Sequence, residues 1–253
     1  MKLKINSALQ LSFLILVLVL LASCTTPTRV STSSTGAEIY EASSSNFAVA
    51  RPYHVVAPGE TLWRIGKMYD VDVETIKEAN RIRNVRKVEI GQKIYIPGAS
   101  PRKDIVTVYP NKKWKYIIIH HSATGVGNSM QFNASHLRKG WKGVGYHFVI
   151  DNGTCGKDDG QIETGPRWLK QEDGAHCKAS DMNEKAIGIC LVGNFSKRTP
   201  TRKQMKSLTY LVNTLRDYYN IPTSRIIGHG QVKGARTECP GKKFPMKKLK
   251  SRV

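Results

Sequence analysis

The hydrophobic pattern changes character four times along the chain. Lys2 and Lys4 precede an apolar run from Leu11 to Ala22, which closes on the small residues Ser23 and Cys24. At about a dozen residues the run falls short of the roughly 20 that a membrane-crossing helix needs. A basic start, a short apolar core and small residues at its end describe an export signal over residues 1–23. From 24 to 51 the chain is rich in Ser, Thr and Ala and poor in large apolar side chains. Such a stretch cannot offset its own ordering entropy, and a disordered tether is expected.

From Pro52 a new pattern starts. Tyr53-His54-Val55-Val56 is a short β-type run, and Pro58-Gly59-Glu60 is turn chemistry. Leu62, Ile65 and Met68 then share one helical face, with Thr61 placed to cap it. Val73–Asn80 reads as a second short helix and Lys93–Pro97 as a closing strand, giving a small βααβ unit over residues 52–98. Residues 99–111 read as a short polar linker with two prolines.

The remaining segment, 112–253, alternates strand and helix patterns. Lys115–His120 is a continuous apolar run suited to a strand buried on both faces, and Ala186–Gly193 is another. Gly145–Ile150 is a strand running into the turn Asp151-Asn152-Gly153. Thr199 with Pro200 is expected to start a long helix whose stripe is Met205, Leu208, Leu211, Val212, Leu215 and Tyr219. Arg225–Gly228 is a last short strand. The pattern predicts an α/β (α+β) domain with a central mixed β-sheet flanked by helices.

Charge narrows the partners. Lys plus Arg number 40 against 19 for Asp plus Glu, a formal net charge of +21. Such a chain expects a polyanion. An exported protein does not meet the genome, so nucleic acid is set aside and anionic membrane or cell-wall polymer remains. The tail from Lys242 to Arg252 adds six cations and no acid. Export also implies an oxidising compartment. Cys155 and Cys177, both in loop-like sequence, are candidates for a disulfide, whereas Cys190 sits mid-strand and reads as an inert buried thiol.

Two strand ends carry chemistry. His120 and His121 close one apolar strand, and His229 closes another ten residues before Cys239. Histidine and cysteine bind zinc well, and three protein ligands with a fourth position open make a catalytic site. Strand alternation turns His121 to the face opposite His120. No CxxC or HExxH spacing accompanies these residues.

Three resemblances extend this reading. Leu21-Ala22-Ser23-Cys24 resembles the lipobox of bacterial lipoproteins, which implies cleavage before Cys24, its acylation, and a lipid-anchored protein facing the cell wall. Residues 52–98 resemble a LysM domain, through Gly59-Glu60-Thr61-Leu62 with Ile65, Ile76 with Asn80, and Ile90-Gly91-Gln92-Lys93-Ile94-Tyr95-Ile96-Pro97. That resemblance implies binding to the N-acetylglucosamine-containing glycan of peptidoglycan, through loops at Gly59, Glu60 and Thr61 and around Asn80.

The third covers residues 112–253. Trp114–Thr124, Gly145–Ile150, Ala186–Phe195, Ile227-Gly228-His229 and Thr237-Glu238-Cys239-Pro240-Gly241 occur in that order. Together they resemble the zinc N-acetylmuramoyl-L-alanine amidases of the type 2 family, which includes phage lysozyme-like amidases and peptidoglycan recognition proteins. The resemblance implies Zn2+ held by His120, His229 and Cys239, a catalytic Tyr146 beside metal and substrate, and Thr237 where phage enzymes carry a Lys. His121, His147 and His176 are candidates by type for the acid that protonates the leaving amine. The implied activity is hydrolysis of the amide between N-acetylmuramic acid and L-alanine, by a monomer. The alternative is a non-catalytic peptidoglycan-binding lipoprotein. Inactive family members typically lose the Cys ligand, and this chain keeps it.

Overall fold

The computed structural model describes residues 28–32, 36–41 and 53–253. The expected export signal and Cys24 lie outside the described residues. Three sheets organise the rest. Strands β1 (Thr28–Thr32), β2 (Glu38–Glu41) and, far along the chain, β5 (Ile105–Val108) form one antiparallel sheet. Two expectations change here. Part of the stretch read as a disordered tether is strand, and the polar linker contains a strand whose four residues are all buried. A strand supplies the backbone partners that a Ser/Thr-rich segment cannot find within itself.

The βααβ unit forms as its pattern predicts. Strands β3 (Tyr53–Val55) and β4 (Lys93–Tyr95) pair antiparallel, and helices α1 (Leu62–Tyr69) and α2 (Val73–Ala79) lie between them in sequence. Leu62, Ile65, Met68, Ile76 and Ile94 make its core, joined by Ile105 from β5. The Thr61 hydroxyl accepts from the Arg64 N–H and caps α1, as its spacing implies.

The third sheet holds five strands in the order β10-β6-β9-β7-β8. Strands β6 (Tyr116–His121), β7 (Phe148–Asn152), β9 (Ala186–Leu191) and β10 (Ile226–Gly228) run parallel, and β8 (Asp159–Thr164) returns antiparallel beside β7 at the edge. On one face, Ile117 and Ile119 of β6 pack with Leu208, Leu211 and Leu215 of the long helix α6 (Arg202–Tyr219). On the other, Ile118 packs with Cys177, Met182 and Val232, which come from loops and the short helix α5 (Met182–Lys185). Period-2 alternation therefore places His120 on the loop-covered face with Ile118, and His121 on the α6 face.

Helix α3 (Ser129–Arg138) was not visible in the hydrophobic pattern. Its start is fixed by the Asn128 side chain, which accepts from the Gln131 N–H, and by the Glu163 carboxylate of β8, which accepts from the Ser129 N–H at 2.6 Å. Short helices α4 (Pro166–Leu169) and α7 (Met246–Lys250) complete the domain.

The start of α6 also corrects an expectation. Its N-cap is Thr201 and not Thr199, and Thr201 forms a reciprocal capping box with Gln204. The Thr201 hydroxyl also donates to Asp159 at 2.7 Å, and the Gln204 amide donates to the carbonyls of Ile150 and Val192, tying helix to sheet. Thr201→Ala should lower unfolding free energy by about 0.5–2 kcal/mol, the range for losing such a cap. Chemical denaturation checks this, and no change in midpoint would contradict the role given to the cap.

Candidate functional site

Strands β6 and β10 are parallel neighbours, with Gly228 level with Ile119. Parallel strands end on the same edge of a sheet, so the residues after Ile119 and Gly228, His120 and His229, emerge side by side. Their ring centroids are 4.7 Å apart. The loop beyond β10 then folds back and brings Cys239 between them and the backbone of His121. The Gly230 N–H donates to the Cys239 carbonyl at 2.6 Å, and the Cys239 N–H donates to the Thr237 hydroxyl at 3.1 Å. The Cys239–Pro240 peptide is cis. One ligand atom from each of His120, His229 and Cys239 lies within 4.8 Å of the others.

Hydrogen bonds decide which nitrogen of His120 faces this cluster. His176 sits 3.2 Å from the Ala186 carbonyl through Nε2, and a carbonyl only accepts, so that nitrogen carries the proton. Its Nδ1 therefore accepts, and receives the Nε2–H of His120 at 3.0 Å. What remains on His120 is the Nδ1 lone pair, 3.7 Å from the Cys239 sulfur. A histidine whose far nitrogen is tied to an acceptor, leaving its near nitrogen as a lone pair, is how proteins orient metal ligands.

The protonation states agree with that arrangement. Burial, then the neighbouring His176 and His229 rings, hold His120 well below the usual imidazole range. Burial brings His176 down to about 4 and lowers His229 as well. The ligand set is thus neutral imidazole, as metal binding requires. Burial pushes the Cys239 thiol up to about 11, against the pull of the His121 N–H that donates to its sulfur at 3.3 Å. Two lone pairs and one sulfur converging in a buried place form a donor set of the catalytic zinc type, and a cation is what this thiol lacks to ionise.

Tyr146 lies beside the cluster, its ring 5.2 Å from that of His120. Burial, reinforced by Cys190 and Cys239, raises its pKa well above the usual phenol range, so it is a donor at every ordinary pH. Cys190 is fully buried in β9 opposite His120, its thiol donating to the Leu191 carbonyl at 3.8 Å. Thr237 is exposed at the rim. Its oxygen accepts from Cys239, and a hydroxyl can still donate its own proton.

The three histidines considered as proton donors have other partners. His121 points away, its Nδ1 accepting from the Phe195 N–H at 3.1 Å. His147 is fully buried, with Nδ1 accepting from the Gly188 N–H and Nε2 donating to the Glu172 carbonyl. His176 orients His120. Nothing in its sequence surroundings, Ala175-His176-Cys177, signals that role. Also unseen in the sequence is an aromatic row beside the site, in which the ring of His136 of α3 lies tilted between Tyr146 (5.8 Å) and the exposed Trp141 (4.6 Å).

The two candidate disulfide cysteines are both free and lie in different surroundings. Cys155 is exposed and donates to Gln131, while Cys177 is buried in the core under β6. In the small domain, Gly59 adopts φ +84°, and Glu60 is buried with Oε2 2.7 Å from His54. Against the upward push of burial, the His54 ring holds Glu60 down to about 2. Asn80 brackets β4, accepting from the Tyr95 N–H and donating to the Tyr95 carbonyl. The structure thus gives Glu60, Thr61 and Asn80 internal partners and brings none of them near the His/Cys cluster.

Residues 110–242 match the family model described as N-acetylmuramoyl-L-alanine amidase, and residues 54–97 match the LysM domain model. The peptidoglycan-recognition protein SC2 of Drosophila melanogaster is 32% identical over 138 residues, covering 50% of this chain and 67% of that protein. The endolysin of Enterobacteria phage K11 is 31% identical over 130 residues, covering 48% and 77%. Among solved structures, the N-acetylmuramoyl-L-alanine amidase LysC from Clostridium intestinale is 33% identical, with a TM-score of 0.47 over 55% of this chain and 85% of that one.

If His176 sets the tautomer of His120, His176→Ala should weaken metal binding about 10–100-fold while leaving all three ligands in place. Competition against a chromophoric chelator measures this, and unchanged affinity in a folded variant would show that the orientation comes from packing alone.

Proposed function

The chain belongs to the N-acetylmuramoyl-L-alanine amidase family, and on that premise we propose that it hydrolyses the amide between N-acetylmuramic acid and L-alanine in peptidoglycan, with zinc held by His120, His229 and Cys239. The observation that carries this reading is the convergence of those three ligand atoms within 4.8 Å, with the unprotonated Nδ1 of His120 facing the Cys239 sulfur. When bound, zinc supplies Lewis acidity, polarising the scissile carbonyl and making water nucleophilic near neutral pH.

The chain's own residues supply the hydrogen-bond donors to the oxyanion. The Tyr146 hydroxyl, kept protonated by burial, donates to the carbonyl oxygen as negative charge develops on it. Thr237 offers a second hydroxyl at the rim. Tyr146 works from the buried side of the site, where a fixed donor is stronger than in water, and Thr237 from its solvent edge. Retention of Cys239 favours hydrolysis over a purely binding role.

The LysM module supplies affinity for the polymer. We further propose that residues 1–23 are removed, that Cys24 carries lipid, and that the protein acts from a membrane facing the cell wall. The net charge of +21 suits both an anionic bilayer and an anionic wall.

Two experiments test this. Purified sacculi digested by the wild-type protein should release peptides with a free N-terminal L-alanine. His120→Ala, His229→Ala and Cys239→Ser should each lose zinc and release none. Tyr146→Phe should keep the metal and slow release about a hundredfold or more. Full wall hydrolysis by Cys239→Ser would remove the assignment. For the anchor, Cys24→Ala should abolish labelling by a fatty-acid probe, and persistent labelling would rule out Cys24 as the acylated residue.

A further inference from the structure

The segment between the two units is not a spacer. Strand β5 divides its side chains between two cores: Ile105 packs with Leu62 and Ile65 of the LysM module, whereas Val106 and Val108 pack with Trp114 and Ile117 of the amidase domain. Residues just before it are strapped to both sides. The N–H groups of Ser100 and Lys103 donate to the carbonyls of Tyr69 and Met68, and the buried Arg102 side chain reaches Asp158 in the amidase domain at 3.3 Å.

Across this seam reaches Arg64 of α1, a residue only 4% exposed. It donates to the Thr107 hydroxyl at 3.2 Å, the Ile105 carbonyl at 3.1 Å and the Thr164 hydroxyl of β8 at 2.9 Å. A buried charge is costly when it loses acceptors, and Arg64, whose Nε already has none, keeps Thr164 only while the two units stay together. Alongside, Gly59 is so close to the amidase domain that a Cβ there would lie 3.0 Å from Leu169 Cδ1 and 3.2 Å from the Pro166 backbone. The loop that reads as sugar-binding by resemblance is the one pressed against the catalytic domain.

We propose that the LysM module is a fixed part of the catalytic unit, docked through Arg64, Gly59 and β5, so that wall bound on the module's remaining exposed surface is held in one orientation relative to the metal site. Arg64 is then a positioning residue for polymeric substrate. A tethered module raises only the local concentration of wall, whereas a docked one also fixes orientation, which is what a crosslinked, immobile substrate rewards. The proposal rests on the amidase reading for its substrate but not for its geometry.

The test uses the full chain without its signal, compared with Arg64→Gln. By calorimetry the wild-type protein should melt in one transition and the variant in two, the LysM module melting separately. Cleavage of a soluble disaccharide-peptide should stay within twofold, while release from sacculi, normalised to bound enzyme, should fall at least fivefold. Two transitions in the wild-type protein would overturn the proposal. So would unchanged sacculus hydrolysis in a variant that melts in two steps. Should Arg64→Gln fail to fold, Thr164→Val, which leaves Arg64 Nη2 one acceptor short, carries the same comparison with the same outcomes. If the wild-type protein hydrolyses nothing, the amidase reading fails while the calorimetric result still decides the docking.

Discussion

The site depends on one constraint, the parallel pairing of β6 between β10 and β9. Parallel neighbours deliver their C-terminal ends to one edge, so His120 and His229, 109 positions apart by their numbering, arrive with ring centroids 4.7 Å apart. Alternation along β6 then gives His120 and His121 different fates, one facing the loops and the other facing Phe195 beneath α6. A slip of one residue in that register would exchange them and dissolve the cluster. The sheet is thus the scaffold of the site, and the Thr237–Cys239 loop is the closure.

Around this scaffold the chain places buried polar groups in pairs that settle one another. Ala186 fixes the proton on His176, His176 fixes His120, and the His121 N–H meets the Cys239 sulfur. At the other end of the domain the same logic operates on a larger scale. Arg64 and Glu60 of the LysM module are both buried, and Lys157 and Glu163 of the amidase domain pair at 2.9 Å nearby in the same network of charges. Ion pairs so thoroughly desolvated add little net stability, but they penalise any arrangement that leaves one member alone. They specify how the parts fit rather than how tightly they hold.

Much of this was legible in the sequence. The long apolar strands, the α6 stripe, the Thr61 cap and the βααβ order follow from spacing, and the five motifs of the larger domain point to the ligands that the structure brings together. What escaped has physical reasons. Strand β8, Asp-Gly-Gln-Ile-Glu-Thr, is polar yet buried, because Glu163 and Thr164 meet partners distant in sequence, Ser129 and Arg64, while Gln161 bonds Asp158 just before the strand. Strand β5 reads as linker because its apolar residues serve two cores and show no single periodicity. Thr199 and Thr201 are equivalent by propensity, and only the reach of Thr201 to Gln204 and Asp159 separates them. Cys155 and Cys177 share a loop-like sequence context that makes both disulfide candidates, but one faces solvent and the other the core.

The central claim is that two imidazoles and one thiolate share a metal at the C-terminal edge of β6 and β10. X-ray absorption at the zinc edge, recorded on the protein as purified, tests it without reference to activity. The account predicts a four-coordinate centre with one sulfur near 2.3 Å and imidazole nitrogens at about 2.0–2.1 Å, the values typical of such sites. A spectrum without sulfur scattering, or a shell of oxygen alone, would contradict it.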